Sequence, residues 1–193
     1  MIGKSLFIGE LIEWTAVNPE KDAVELSNWT SNLQFSSQLF DKPGRLYAVH
    51  EIKKKVKEQL KEADEKNNAF VFALRKKGTS EIVGIVKFGW LQFSQQSARI
   101  FLDFASDEAL SLYGNEVVSM ALRYGFMEMS LHRIWLMLSG HQEKDIALFE
   151  FAGFLRENQR REASFYEGRY YDCLGYSLLK AEWKKNQHLE VAA

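Results

Sequence analysis

The chain has 193 residues, 46% of them apolar, and its 25 basic and 26 acidic side chains leave a formal net charge of −1. A chain of that size can build one hydrophobic core without disulfides, and the even charge balance argues against an obligate nucleic-acid partner. The single cysteine, Cys173, excludes a disulfide framework and a cysteine metal site, and no eighteen apolar residues run together to span a membrane.

Residues 5–14 alternate as a first strand, and 19–29 show the acidic start and the Ala23, Leu26, Trp29 spacing of a short helix. Gly9 and Glu10 interrupt the only apolar stretch near the N-terminus, so no signal peptide and a cytoplasmic location are expected. Residues 29–45 are aromatic and polar and end at Pro43 and Gly44; 49–65 form a charge-laced helix with Ile52, Val56, Leu60 and Ala63 inward. The basic cluster from Lys53 to Lys57 is its solvated face. Then follow a strand over 70–74, a hairpin turn at 77–80, a returning strand over 82–88 with Gly84 at its middle, and a third strand over 97–105. With no repeats or linkers, the pattern predicts a single α/β or α+β domain over 1–193.

Tyr113, Gly114, Asn115 and Glu116 read as a tight turn opening a helix that buries Val117, Met120, Ala121 and Tyr124. Such a turn leaves the first helical N–H groups available to an anion, and a phosphate-bearing cofactor would fit there. Residues 131–138 form a strand and 138–142 a loop, and a further helix runs to a closing Gly153-Phe154. Glu167-Gly168 turns the chain into an alternating strand, and Glu182-Trp183 closes a last hairpin.

This order, together with Gly84 and the terminal Glu182-Trp183, resembles the acyl-CoA-binding core of the GNAT superfamily of N-acetyltransferases. It is most similar to the branch that includes the ribosomal-protein alanine and serine N-acetyltransferases, and the likeness covers residues 5–183. The resemblance implies a mixed central sheet with antiparallel N-terminal strands, a splayed parallel pair at the cofactor site and helices on both faces. It implies acetyl-CoA as co-substrate, an amine acceptor and no metal. The family's Gln/Arg-x-x-Gly-x-Gly/Ala loop falls on Ala109, Leu112 and Gly114, so only the second glycine is retained. Leu112, Tyr113, Gly114, Asn115 and Glu116 are thereby expected to meet the pyrophosphate, and backbone N–H groups at Phe104, Ala105 and Ser106 to orient the thioester carbonyl. Gln142 takes the place of an Asn that contacts the pantetheine. Phe149 stands where a tyrosine often protonates the departing thiolate, and it has no hydroxyl to do so.

Three side chains are candidates for proton chemistry, and the resemblance implies a serine and a glutamate near these elements. Ser139, at the strand end, either hands a proton to the sulfur or simply bonds the strand end. Glu150 lies on the following helix, where a surface or helix-pairing carboxylate is the ordinary role, and Asp103 is a base or amine anchor whose face depends on strand alternation. His141 either shuttles a proton or is an exposed loop histidine, and the four histidines have no metal-ligand spacing. Two functions follow: acetyl transfer to a primary amine, on a protein N-terminus or a small molecule, or a catalytically silent binding module, favoured by Ala109, Leu112 and Phe149. Residues 29–45 are expected to cover the acceptor groove, and Trp90, Phe93 and Trp183 could supply the apolar patch of a homodimer.

Overall fold

The structure, a computed structural model, describes residues 6–32, 35, 36 and 44–191. The chain gathers into two compact units, Met1–Gly89 with Phe101–Tyr113 and Trp90–Ile100 with Gly114–Ala193. The strands are β1 (Ile12–Ala16), β2 (Phe70–Lys76), β3 (Ile82–Gln92), β4 (Ser97–Phe104), β5 (Arg133–Ser139), β6 (Leu155–Tyr166) and β7 (Arg169–Leu179). They form one seven-stranded sheet in the order β1-β2-β3-β4-β5-β7-β6, parallel at β4–β5 and antiparallel at β1–β2, β2–β3, β5–β7 and β7–β6. The helices are α1 (Pro19–Trp29), α2 (Val49–Lys66), α3 (Asp107–Arg123), α4 (Glu143–Phe151) and α5 (Lys180–Val191). The mixed α/β architecture is the one expected.

In the first unit, α1 starts where Asn18 Oδ1 accepts the N–H groups of Glu20 and Lys21, with Pro19 pre-set for the first turn. Its Ala23, Leu26 and Trp29 join Phe35, Tyr47, Ile52, Val56, Ala73, Ile82 and Ile85 in one apolar cluster. Asp22 is buried there as an ion pair with Arg75 at 2.8 Å, and also accepts the Asn18 N–H. Lys53 and Lys57 both pair with Glu20 on the outer face of α2, so the basic cluster is a solvated surface. Gly84 has a steric reason: a Cβ there would stand 2.7 Å from the Asp103 carbonyl oxygen and 3.2 Å from the Phe104 ring. The first strand begins at Ile12 rather than Ser5, which lies outside the described residues.

The second unit is organised by β5, which buries Ile134, Leu136 and Leu138 and leaves Arg133, Trp135 and Met137 half-exposed. It pairs with β7 over seven residues, from Arg133↔Leu179 to Ser139↔Cys173. Its parallel ladder with β4 covers three residues, from Ser97↔Arg133 to Arg99↔Trp135. The β6–β7 hairpin turns at Glu167 and Gly168, with φ of 47° and 79°. β6 is the sheet's edge. It is exposed along almost its whole length and its register with β7 shifts twice. The last hairpin ends earlier than expected, because Glu182 caps the Leu179 N–H at 2.9 Å and Trp183 is a residue of α5. Trp183 is buried against Phe126 at 5.2 Å, which removes it from any exposed dimer patch, whereas Trp90 and Phe93 are exposed.

Candidate active site

The turn from β5 into α4 binds most of its own polar groups. The Gln142 N–H donates to the Ser139 carbonyl and the Ser139 N–H donates to Gln142 Oε1, both at 2.9 Å, so the two residues close the turn reciprocally. Each is 8% exposed. The Gly140 N–H donates to the Asp172 carbonyl of β7, and the Gln142 carbonyl accepts the Ile146 N–H that starts α4. With its backbone held, Ser139 places its Oγ 2.7 Å from Nδ1 of His141. The His141 ring stacks on Tyr166 of β6, with centroids 4.1 Å apart and planes 3° from parallel, and touches Tyr171 of β7 at 5.2 Å. His141 Nε2 is buried without a hydrogen-bond partner among the described residues. Burial lowers the imidazole pKa, and the carboxylate of Glu167 opposes that shift.

Other predicted residues sit around this turn with partners of their own. The Gln142 carboxamide, expected at the pantetheine, is engaged within the turn, its Nε2 facing Asp145 at 3.4 Å. Glu150 accepts the hydroxyl of Tyr176 at 2.8 Å, a helix-to-strand contact that, after burial, helps push the tyrosine up to about 12. Phe149 is 2% exposed and packs edge-on against Phe154. A cavity of about 420 Å³ opens elsewhere in this unit along Arg133, Trp135, Met137, Glu157 and Asn158, and none of the predicted site residues lines it.

The expected phosphate turn has to be moved. α3 begins at Asp107, so Leu112, Tyr113, Gly114, Asn115 and Glu116 lie inside a continuous helix whose N–H groups bond within it. Gly114 is buried on its inner face and Leu112 is 65% exposed on its outer one. The end that can meet an anion is eight residues earlier, where Ser106 Oγ accepts the Ala109 N–H at 3.2 Å and its carbonyl accepts that of Leu110. Asp107 and Glu108 occupy that first turn. Their charge complements the helix dipole and opposes a phosphate there. Ala105 cannot orient a carbonyl, because its N–H donates to the Val83 carbonyl at 2.9 Å. Asp103 is half-buried in β4 within the first unit. Tyr124, expected inward, is only half-buried in the π-helical turn Tyr124–Glu128 that ends α3.

The segment expected to cover the acceptor is described in part. The Arg45 N–H donates to Ser36 Oγ and the Ser36 hydroxyl to the Arg45 carbonyl, which closes a loop, while residues 33, 34 and 37–43 lie outside the described residues.

These elements carry a family signature that extends through both units. The profile of the acetyltransferase (GNAT) domain matches residues 16–174, and the chain belongs to that family. Among curated proteins, the spermidine N(1)-acetyltransferase of Vibrio cholerae is 26% identical over 102 residues, 53% of this chain and 59% of that protein. YdaF of Bacillus subtilis, an N-acetyltransferase whose name ties it provisionally to the ribosome, is 35% identical over 75 residues, 37% of this chain and 41% of that one. The chain thus spans about three fifths and two fifths of these relatives. The crystal structure of the Vibrio cholerae spermidine N-acetyltransferase with CoA and spermine superposes with a TM-score of 0.76 at 21% identity, covering 91% of this chain and 99% of that one, which speaks for the fold.

Proposed function

We propose that the protein is an acetyl-CoA-dependent N-acetyltransferase in which a primary amine attacks the thioester directly, without a covalent enzyme intermediate. The observation that carries this reading is the rigid turn that presents the Ser139 hydroxyl inside an acetyltransferase-family domain. Acetyl-CoA supplies the activated acetyl group. The residues supply binding, orientation and a path for one proton. The start of α3, with Ser106 as its cap, is where the helix can offer N–H groups to the phosphates, although Asp107 and Glu108 weaken that end. Phe104 and Ser106 remain the segment's candidates to orient the carbonyl now that Ala105 is committed to Val83. Ser139 delivers the proton to the leaving sulfur, the role that Phe149 cannot fill. Glu150, bonded to Tyr176, supports the fold around the site rather than acting as base.

The acceptor is a primary amine, and two classes have support. The sequence resembles ribosomal N-terminal acetyltransferases, and one relative acetylates spermidine by name. Calorimetry with acetyl-CoA, followed by a thiol-release assay on peptides with N-terminal Ala or Ser and on spermidine, tests the proposal. Binding with release on either class is the expected result. Absence of acetyl-CoA binding would leave the silent-module reading.

A further inference from the structure

We propose that Ser139 and His141 form a proton relay for acetyl transfer, in which His141 is the positioning residue that takes and returns the proton through Ser139. The inference rests on the acetyltransferase reading above and extends it to a residue that neither the resemblance nor Phe149 points to.

The geometry fixes the contact, and the tautomer of His141 sets the direction of the bond. With the Ser139 N–H held by Gln142 Oε1 and its carbonyl by the Gln142 N–H, the serine backbone cannot turn, and its hydroxyl stands 2.7 Å from Nδ1 of His141. A neutral imidazole with the proton on Nε2 makes Nδ1 the acceptor of the Ser139 O–H. Tyr166 lies flat on the ring at 4.1 Å and Tyr171 tilts against it, so the imidazole is clamped in the orientation that keeps Nδ1 on the serine.

The same surroundings tolerate a passing charge. The groups facing the ring are Ser139 from the end of β5, Tyr166 from β6, Tyr171 from β7 and Glu167 from the hairpin turn. The flat Tyr166 face and the Glu167 carboxylate both favour an imidazolium, while burial keeps the resting ring neutral and able to accept.

The step balances without any further reactant. The amine nitrogen forms a bond to the acetyl carbon and its excess proton passes to Ser139 Oγ as the serine's own proton passes to His141 Nδ1. The carbon–sulfur bond then breaks, and the proton returns from Nδ1 through Ser139 to the sulfur. One proton has moved from nitrogen to sulfur, and both side chains are restored. A serine alone lacks this capacity, because its alkoxide is too basic to form near neutral pH.

The test is the pH dependence of kcat for the wild type, His141→Asn, Ser139→Ala and the double variant, with acetyl-CoA affinity measured separately by calorimetry. Wild-type kcat should fall on acidification along a limb set by one group below the usual histidine range. His141→Asn, which can still bond Ser139 but cannot titrate, should lose about 10²-fold in kcat with acetyl-CoA affinity unchanged, and the limb should vanish. The double variant should be no slower than Ser139→Ala, as for residues that act as one unit. Should His141→Asn not fold, Glu167→Gln at the exposed turn replaces it: loss of that carboxylate should move the acid limb to lower pH. An acid limb that survives His141→Asn or ignores Glu167→Gln, or losses that multiply in the double variant, would overturn the relay while leaving the acetyltransferase reading intact. A wild type that releases no thiol with any amine overturns both.

Discussion

The loops that follow the neighbouring strands β4 and β5 both lead into helices, and they are built from opposite materials. The one after β5 is held by its own bonds, His141 Nε2 excepted: Ser139 and Gln142 bond each other, the Asp172 carbonyl takes the Gly140 N–H, and Tyr166 stacks on His141. The one after β4 ends at Ser106, the cap of α3, and places two carboxylates in the first helical turn. Mutual bonding restricts the side chains to one arrangement, which positioned proton transfer needs. A charged helix end tunes affinity for an anion and needs no such accuracy. On the proposed function, chemistry falls to the first and cofactor affinity to the second.

The largest effect should come from the turn after β5. Ser139→Ala should lower kcat by about 10²–10⁴-fold with little change in acetyl-CoA affinity, since positioned proton transfer is worth that much. Steady-state rates at saturating acetyl-CoA decide it, and an unchanged kcat would remove the contrast between the two loops. Gly114→Trp comes next, and its outcome is structural. Forcing an indole onto the buried face of α3 should destabilise the fold by about 1–3 kcal/mol or more, visible as a lowered melting temperature. A folded, stable variant that merely binds acetyl-CoA less well would return the phosphate site to Gly114.

Gln142→Ala leaves the buried Ser139 N–H without its acceptor and should cost about 1–3 kcal/mol. A melt together with kcat sharpens the comparison, because a loosened turn should lose rate as well as stability. At the other loop, replacing Asp107 by Asn and Glu108 by Gln should tighten acetyl-CoA binding about two- to fivefold per charge at low salt, fading as ionic strength rises. Unaltered affinity across that salt range would place the phosphates away from the start of α3.

The last effect is confined to alkaline pH. The Tyr176 phenol, pushed up to about 12 by burial and the hydrogen bond to Glu150, stays protonated in the folded protein while the unfolded chain ionises near 10. The folded state therefore holds the extra proton between pH 10 and 12. The stability this pair contributes is complete below pH 10 and is lost as pH rises through that window. Melting temperatures from pH 9 to 12 should fall more steeply for the wild type than for Tyr176→Phe.

The strands were legible because alternation is a short-range signal: 70–74, 82–88 and 97–105 all lie on observed strands, with ends differing by a few residues. The start of α3 was misplaced because Gly114 looked like a turn. A buried helix face also accepts glycine, and the stronger signal was Ser106 followed by Asp107 and Glu108, a capping serine before an acidic first turn. Ser139 and Gln142 could be located from the strand end and the loop that follows it. Their mutual bonds could not, since they depend on the turn's closure. The clamp on His141 was invisible for a plainer reason: Tyr166 and Tyr171 reach it only after the β6–β7 hairpin has folded back, and local spacing holds no record of that.

The free flank of the sheet has a consequence for how the protein behaves when concentrated. β6 is long enough to seed growth of a fibril, yet Arg156, Glu157, Arg160, Arg161 and Glu162 line it and its ladder slips at Arg156/Asn158 and again at Arg160/Ser164. Glu162, at a φ of 50°, bends the strand out of the flat path that a docking chain would have to follow. Crowded molecules meeting along this flank encounter a row of solvated charges and a crooked ladder, so the flank resists sheet-to-sheet stacking, and any self-association falls to side-chain surfaces such as that of Trp90 and Phe93.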